Sequence, residues 1–434
     1  MQKLLNISRR TFIRAAGAAS LVAPAVIKRA GAQTELLNIG LIGCGWYGML
    51  VLNKAFDVGG VNCVALCDVD SEHLKNSADK VEENQGRRPE LYQDYRELLE
   101  HSGLQAVIIA TPPHWHALPF LAALEQGLDI YCEKPLAYDI REGQVMVEAA
   151  QNSDSIVQIG FQRRQSQAIL QARDAIQSGA IGDVVQVDTQ IHYNAPIRDT
   201  EPQNPPESLD WEFWCGPAPK LPYRPNIGHI AWRLEKAYGN GHLVDWGIHW
   251  IDAIRLILDE DMPFSVNSSG GIIHLKDQIT TPDTLTTYFE FETCPVVWRH
   301  RLWGAKEYPG EPTNGMFFYG TQGTLFVNGR KWVVVSNKKG AEPEEHNVKT
   351  DSAKGHMADF LNAVASRRQP DCTVADAFLS TATVQLGMIS WEAHQRINWD
   401  AQNQQIINNT RANEKLRREY RKPWVHPYSV KSKD

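Results

Sequence analysis

The chain has 434 residues, which is enough for two or three domains of ordinary size. Its composition, 43% hydrophobic and 22% charged, is typical of a globular protein and excludes collagen-like and intrinsically disordered classes. A net charge of −7 argues against a nucleic-acid partner, and seven cysteines without a C-x-x-C pair argue against a disulfide framework or a thiolate zinc site. These properties predict a soluble, mildly acidic enzyme or binding protein.

Residues 1–32 have the pattern of an export signal. They contain six basic residues and no acidic residue, and residues 8–14 read SRRTFIR, which resembles a twin-arginine motif. Residues 15–27 are uncharged but too short to span a bilayer, which takes about 20 helical residues, and residues 30–32 (AGA) offer a cleavage site. We therefore predict a twin-arginine signal peptide over residues 1–32 and a periplasmic or otherwise exported protein. The mature chain would carry a charge of −13 and no membrane insertion.

A dinucleotide-binding pattern follows directly. Residues 37–43 read as a buried strand that runs into G-x-G-x-x-G at Gly43, Gly45 and Gly48, and a helical pattern begins there. A second strand ends in Asp68, 20 residues after Gly48, where a dinucleotide fold places an acid on the adenosine ribose. Because its carboxylate would repel a 2′-phosphate, the pattern predicts NAD rather than NADP. Trp46 and Tyr47, inside the motif, are expected to contact the cofactor.

Strands and helices continue to alternate up to residue 156. A helix is predicted near residues 92–100, a strand at 106–110, a helix at 117–126 and a strand at 129–132. This alternation indicates a parallel, doubly wound sheet, in which ligands lie beyond the carboxyl ends of the strands. Five residues following the last two strands are therefore predicted at the cofactor: Thr111, Pro112, His116, Glu133 and Lys134.

Together these motifs resemble those of the Gfo/Idh/MocA oxidoreductases. The resemblance rests on G-C-G-W-Y-G at 43–48, T-P-P with a histidine at 111–116, E-K-P at 133–135, G-F-Q-R-R at 160–164, D-W-G-I-H at 245–249 and R-E-Y-R-K-P-W at 418–424. It implies a Rossmann domain over residues 33–156, an α/β domain with a large, open, mostly antiparallel sheet over 157–400, and a tail over 401–434. It also implies that Gln162 and Arg163 lie beside the nicotinamide. The exposed sheet face implies a homo-oligomer, a dimer or a tetramer.

The second domain shows strand-like runs and two long helical stretches. Strands are predicted at 184–193, 265–274, 284–291, 296–302, 316–319, 324–327 and 332–336, and helices at 353–366 and 375–396. A large open sheet exposes backbone and apolar side chains unless it is covered, which supports the expectation of an oligomer on physical grounds as well.

Three residues are predicted to carry catalysis. Asp245 and His249 are four residues apart, which places them on one face of a helix. A histidine can accept a proton near neutral pH, so His249 is the predicted general base, and Asp245 would orient its ring or bind a substrate hydroxyl. Lys134 would donate a hydrogen bond to the reacting oxygen. The alternative is that Asp245 and His249 simply satisfy each other in the core.

A metal centre and a nucleophilic serine or cysteine are not predicted. The candidate ligands are scattered, and no pair has a close metal-binding spacing such as H-E-x-x-H; they are His114, His116, His192, His229 and His242. The sequence contains no G-x-S-x-G, and Cys63 and Cys67 lie in an apolar strand.

Residues 194–232 form a long proline-rich stretch with few helix or strand signals, and such stretches are usually functional. Seven of the 13 tryptophans lie between Trp211 and Trp303, which suggests stacking on a sugar. Filling of a small loop core is the competing interpretation. Tyr193 and Trp232 are the predicted substrate-pocket residues.

Two activities fit these residues. The first is an NAD-dependent oxidoreductase that transfers hydride between a secondary hydroxyl of a sugar, sugar acid or cyclitol and a tightly held cofactor. The second is an exported NAD-dependent glycoside hydrolase or lyase that oxidises the sugar transiently and returns the hydride. The second would need a further acid or base, and Tyr193, His229 and His242 are the candidates. A cofactor-binding sensor is a third, non-enzymatic interpretation.

Overall fold

The computed structural model describes residues 36–305, 310–407 and 409–431, so the predicted signal peptide at 1–32 lies outside the described residues. The first sheet contains six parallel strands: β1 Leu37–Ile42, β2 Val61–Cys67, β3 Glu90–Tyr92, β4 Ala106–Ile109, β5 Asp129–Cys132 and β6 Val157–Ile159. Their order, β3-β2-β1-β4-β5-β6, is that of a doubly wound Rossmann fold. The order reverses between β1 and β4, so the predicted ligand crevice opens where these two strands end.

Helices cover both faces of this sheet. They are α1 Trp46–Val58, α2 Ser71–Gln85, α3 Tyr95–Leu99, α4 Ala117–Glu125 and α5 Ile140–Gln151. All four residues of β4 and all four of β5 are buried, as expected for central strands covered on both sides. Asp70 begins α2 by accepting hydrogen bonds from the backbone N–H groups of Glu72 and His73.

The second sheet is larger and mostly antiparallel, as predicted. Its ten strands are β7 Val184–Ile191, β8 Ser265–Gly271, β9 Thr284–Glu290, β10 Pro295–Arg301, β11 Asn314–Gly320, β12 Gly323–Val327, β13 Lys331–Ser336, β14 Glu344–Asn347, β15 Ile397–Asp400 and β16 Gln405–Ile406. They lie in the order β14-β13-β12-β11-β7-β10-β9-β8-β15-β16, and β7 and β10 are parallel.

The remaining helices lie beside both sheets: α6 Gln167–Gln177, α7 Trp211–Cys215, α8 Ile248–Leu258, α9 Ser352–Ser366, α10 Val374–Ala393, α11 Thr410–Glu414 and α12 Pro427–Lys431. Helix α10 is buried along most of its length and packs against β8, α5 and α8. It therefore links the two sheets through one continuous core. No helix in the described part of the chain is long and apolar enough to cross a bilayer.

The predicted domain boundaries need correction. A boundary at 156/157 cuts off β6, which pairs with β5 and completes the first sheet. Helix α9 follows β14 in the chain but packs on α1, where Met357 and Phe360 are buried in the core of the Rossmann domain. A linear division of the sequence cannot show this, because the late helix returns to the first domain to bury its apolar face.

The end of the predicted tail packs on the first domain, whereas its start contains β16 of the second sheet. The Arg418 guanidinium donates to Glu142 at 3.0 Å, and the His426 imidazole lies 3.0 Å from the Asp139 carboxylate. The Trp424 ring lies edge-on to Trp115. Residues 418–426 therefore fold back onto the Rossmann domain.

Candidate active site

The glycine-rich turn after β1 is shaped by two close approaches. Gly43 has φ +94°, and a Cβ at Gly48 would lie 1.9 Å from the Gly43 carbonyl oxygen. Neither position can therefore carry a side chain without moving the backbone. Gly45, in contrast, faces open space within 4 Å and stands at the N-terminus of α1, where backbone N–H groups favour an anion.

Asp68 joins the end of β2 to this turn. Its carboxylate accepts the backbone N–H of Cys44 at 2.7 Å and that of Asp70 at 2.9 Å. Burial raises the pKa of Asp68 above its ordinary value, while these two N–H donors act in the opposite direction. The carboxylate is fixed on the wall of a cleft, where a ribose hydroxyl could reach it.

The cleft above the ends of β1, β2 and β4 has a volume of about 350 Å³. The predicted residues that line it are Gly43, Gly45, Trp46, Tyr47, Gly48, Asp68, Thr111, Pro112 and Trp232. The hydroxyl oxygen of Thr111 is buried without a hydrogen-bond partner, so this wall has an unused polar group.

Lys134 and Asp245 form a buried ion pair across the two domains. The Lys134 ammonium donates to the backbone carbonyl of Asp245 at 2.6 Å and to its carboxylate at 3.0 Å. The other carboxylate oxygen lies 3.1 Å from Nε of Arg233, which lines the cleft. Burial alone would raise the pKa of Asp245, but the charges of Lys134 and Arg233 lower it below its ordinary value. Asp245 is therefore a carboxylate with two cationic partners.

These contacts correct the expected pairing of Asp245 with His249. The carboxylate of Asp245 is bound by Lys134 and Arg233, and residues Leu243–Gly247 form a π-helical turn before α8, not the regular α-helix that the spacing predicts. The Nδ1 atom of the buried His249 has no hydrogen-bond partner. Burial, followed by the charges of Lys134 and Arg163, holds the pKa of His249 well below its ordinary value, so the ring is neutral.

Glu133 lies behind Lys134 in a fully enclosed position. It accepts a hydrogen bond from the side-chain amide of Gln162 at 2.7 Å and one from the backbone N–H of Lys134 at 3.2 Å. A Cβ at Gly160 would lie 2.5 Å from its carboxylate, so the G-F-Q motif leaves room for this side chain. Burial raises the pKa of Glu133 to about 7.

Arg163 is a half-buried cation whose charge acts on Tyr47. Its guanidinium stacks on the Trp250 ring, 3.7 Å from the centroid, and burial lowers its pKa to about 10. Tyr47 lies in reach of the charges of Glu133, Asp245 and Arg163, and burial raises its pKa. Tyr47 thus connects the cleft with the inner charged residues.

His116 is placed differently from the prediction. It is buried and its two ring nitrogens face the carbonyl oxygens of Pro135 and Thr111 at 2.7 and 2.9 Å. Burial lowers its pKa to about 4. We therefore assign it to positioning the loops after β4 and β5, since its ring is not part of the cleft wall.

The aromatic loop divides into two groups. Trp211 and Trp214 stack on each other at 4.6 Å in a small cluster of buried loop residues. These two tryptophans therefore fill a small loop core, the alternative to stacking on a sugar. Trp232 lines the cleft under the Arg233 guanidinium. The Tyr193 ring lies 4.8 Å from the His242 ring, tilted by 40°, and burial followed by the charge of Asp245 raises the pKa of Tyr193.

Arg233 was not singled out from the sequence. It follows Trp232 directly, but its importance depends on Asp245, and no local motif predicts that contact. Arg198 and His229 also reach the cleft from the proline-rich stretch. The unusual length of that stretch was the available signal; Trp232 and His229 were named from it, whereas Arg233 lies just beyond its predicted end.

Comparison with known families decides the classification. Residues 37–161 match the Gfo/Idh/MocA description "Oxidoreductase family, NAD-binding Rossmann fold", and residues 176–426 match its "C-terminal alpha/beta domain". The chain belongs to the Gfo/Idh/MocA oxidoreductase family. Both expected domains are therefore confirmed, and the first is of the NAD-binding type.

Individual relatives are similar over part of the chain. Inositol 2-dehydrogenase of Salmonella typhimurium is 36% identical over 161 residues, which cover 37% of this chain and 46% of the relative. Glycosyl hydrolase family 109 protein 1 of a Shewanella species is 27% identical over 205 residues, covering 42% and 45%. The chain thus matches less than half the length of either relative.

A solved structure supports the fold of this Gfo/Idh/MocA protein. Levoglucosan dehydrogenase in complex with NADH and levoglucosan superposes with a TM-score of 0.66, covering 83% of this chain and 99% of that chain. At 19% sequence identity this likeness extends to the fold alone.

Proposed function

We propose that this protein is an NAD-dependent oxidoreductase that transfers hydride between a secondary hydroxyl of a sugar, sugar acid or cyclitol and a tightly held nicotinamide cofactor. The proposal rests on the buried Lys134–Asp245 pair, whose Lys134 charge acts on the neutral His249. Tyr47 lines the dinucleotide cleft and lies in reach of the charge of Asp245, so it connects the cleft with this pair. The sugar and cyclitol names of the relatives agree with it.

The residues present fit a dinucleotide. Gly45 leaves the N-terminus of α1 open to a pyrophosphate, Asp68 offers a carboxylate to the adenosine ribose, and Thr111 has an unused hydroxyl at the end of β4. The charges of Glu133 and Arg163 act on Tyr47 of the cleft wall, and Gln162 donates to Glu133, so these three residues are proposed to face the nicotinamide. When bound, the nicotinamide supplies the group that accepts and returns hydride.

Lys134 and His249 would handle the substrate oxygen and its proton. The ammonium of Lys134 has three protons, of which two bind Asp245, so one remains for a substrate oxygen. Oxidation of a secondary hydroxyl to a ketone requires loss of the hydroxyl proton, and the neutral imidazole of His249 can accept it. Arg233 and Asp245 hold the ammonium in place.

Replacement of Lys134 tests this assignment. We expect Lys134→Met to lower turnover by roughly 10²–10⁴-fold, because proton-donating groups of this kind contribute about that much, while bound dinucleotide is retained. Lys339→Met, at an exposed position, is the matched control and should keep full activity. Full activity of the Lys134 variant would refute its assigned role.

The redox-neutral glycosidase is the second candidate, favoured by the similarity to a glycosyl hydrolase family 109 protein. Of the three candidates for its additional acid or base, Tyr193 is favoured by the contacts of the other two. His229 is paired with Asp70, and His242 is buried with its ring on the Ile191 carbonyl, whereas Tyr193 is half-buried near Asp245. Tyr193→Phe should abolish release of phenol from aryl glycosides if this activity exists.

We further propose export by the twin-arginine route with the cofactor already bound. The support is the sequence of residues 1–32 together with chemistry that regenerates its own cofactor. Replacement of Arg9 and Arg10 by lysine should retain the protein in the cytoplasm in a fractionation experiment. Unchanged export would contradict the proposed route.

We also propose a homo-oligomer formed through the open face of the second sheet. By strand register, Tyr288, Tyr319 and Val335 lie on one face, and they are 49%, 37% and 47% exposed. Such an apolar row is typical of an interface. Tyr319→Arg should convert a dimer or tetramer to smaller species in analytical ultracentrifugation, while Lys339→Met should not. A monomeric wild-type protein would contradict the proposal.

A further inference from the structure

Three side chains with metal-binding atoms converge at the wall of the cleft. Asp70 is the N-cap residue of α2, and His73 lies in the first turn of that helix. His229 begins a short 3-10 turn in the long segment between β7 and α8. One ligand atom of each lies within 4.8 Å of the other two. His229 Nε2 is 3.1 Å from the Asp70 carboxylate, and the two imidazole rings face each other at 4.3 Å with a tilt of 33°.

The carboxylate of Asp70 is oriented by the backbone of its own helix. One oxygen accepts the N–H groups of Glu72 and His73 at 3.0 and 3.3 Å as the helix cap. The other oxygen is the one that faces His229. This division leaves one oxygen available as a ligand while the other fixes the direction of the side chain.

The loop carrying His229 is joined to the Rossmann domain by backbone hydrogen bonds nearby. The N–H of Ser71 donates to the Ser208 carbonyl at 2.9 Å, and the N–H of Asp210 donates to the Val69 carbonyl at 3.0 Å. These bonds hold the two segments together independently of the three side chains. Residues 208–210, in the same stretch as His229, are therefore fixed to the backbone on either side of Asp70.

The donor set and spacing fit a zinc-type ion. Two imidazoles and one carboxylate are borderline ligands that suit zinc and its neighbours. Bond lengths of about 2.0–2.2 Å in a tetrahedral site place ligand atoms roughly 3.4 Å apart. Binding would therefore open the His229–Asp70 pair slightly from 3.1 Å and draw together the other ligand atoms, which lie within 4.8 Å of one another.

A second cluster among the described residues is not suited to bind a cation. Asp139, Glu142 and His426 are also close, but the Arg418 guanidinium donates to Glu142 at 3.0 Å. A cation there would be repelled by the fixed positive charge. The protein should therefore bind one ion at high affinity.

We propose that Asp70, His73 and His229 bind one divalent zinc-type cation, which joins the proline-rich stretch at 194–232 to the Rossmann domain beside the adenosine end of the cleft. Three protein ligands leave a fourth position for water or a ligand oxygen. The ion has a structural role, since Lys134 and His249 do not belong to this cluster.

The experiment uses the full exported chain, purified without a polyhistidine tag and stripped with a chelator. Zinc alone is titrated by calorimetry, and Co²⁺ alone is titrated while the visible spectrum is recorded. We expect one equivalent of zinc to bind, and Co²⁺ to give the intense bands of a tetrahedral site. Absence of stoichiometric zinc binding together with weak octahedral Co²⁺ bands would overturn the proposal.

Variants assign the binding to these residues. His73→Gln and His229→Asn should each weaken zinc binding by at least about 100-fold, since even outer-shell changes cost about 10–100-fold. Asparagine suits position 229, where φ is +38°, and His394→Asn, exposed with φ +51°, is the matched control. Unchanged affinity in both test variants would overturn the assignment, and the Co²⁺ spectrum of the wild type tests it independently of variant folding.

Discussion

Lys134 shows how a few buried contacts set the charge state of the site. Its ammonium and the Asp245 carboxylate are both largely removed from solvent, and a buried charge is costly unless it is paired. Arg233 adds a second cation on the same carboxylate. Burial first, and then the charges of Lys134 and Arg163, lower the pKa of His249 and keep that ring unprotonated before substrate binds.

The buried carboxyl group of Glu133 makes the stability of the fold depend on pH. Its pKa rises from 4.5 to about 7 on folding because the carboxyl group is buried. Between these values the folded protein holds a proton that the unfolded chain has released, so the contribution of Glu133 to stability falls as pH rises from about 4.5 to about 7. The melting temperature of wild type minus that of Glu133→Gln should decline over this window and then level off.

The control for this measurement is Glu342→Gln, at an exposed position, for which the difference should stay constant with pH. A difference between wild type and Glu133→Gln that rises with pH would mean that Glu133 is stabilised as an anion, in conflict with its burial.

Individual site residues were predictable where a local motif contains them. The three glycines, Asp68 and Lys134 stand at fixed offsets from strands. The glycines and Asp68 line the cleft, and Lys134 forms an ion pair with Asp245. The partner of Lys134 lies 111 residues away in the chain, and its contact with Arg233 depends on the packing of both domains. Such pairings have no local pattern, which is why Asp245 was expected beside His249.

The turn between β1 and α1 gives a prediction at the scale of one element. A methyl group at Gly48 would collide with the Gly43 carbonyl, whereas one at Gly45 would enter open space. We expect Gly48→Ala to destabilise the fold by about 1–3 kcal/mol through overpacking. Gly45→Ala should melt like the wild type but bind NAD more weakly, because its methyl group lies where the pyrophosphate must approach.

Thermal unfolding and NAD titration of the two variants separate these effects. Equal loss of stability in both variants would contradict the described geometry of the turn. Unchanged NAD affinity in Gly45→Ala would contradict the assigned path of the dinucleotide.

Elements were predicted best where the pattern is long. The apolar strands of both sheets and helices α9 and α10 lie within a few residues of their predicted positions. The three-residue strands β3 and β6 were missed, because so short a segment shows no periodicity. The π-helical turn at Leu243–Gly247 was also missed, since its sequence reads as the continuation of α8.

At the scale of the molecule, the two sheets share one core, and late segments of the chain return to the first domain. This arrangement places Lys134, from the Rossmann sheet, against Asp245, from the segment before α8. It also explains why the family and the order of the sheets were predictable while the domain boundaries were not. The burial of α9 and the Arg418–Glu142 contact depend on residues far apart in the chain, which no local sequence pattern shows.

We propose that a retained nicotinamide exchanges hydride with a sugar-like hydroxyl at Lys134 and His249. The most direct test is a single-turnover experiment on the purified holoenzyme, mixed with a panel of sugars, sugar acids, cyclitols and aryl glycosides. Nicotinamide absorbance and product are followed together, with Lys134→Met as the inactive reference. We predict that at least one hydroxylated substrate gives the absorbance of reduced nicotinamide together with a ketone. Absence of dinucleotide from the denatured protein, or turnover without any transient reduction of nicotinamide, would contradict hydride exchange at a retained cofactor.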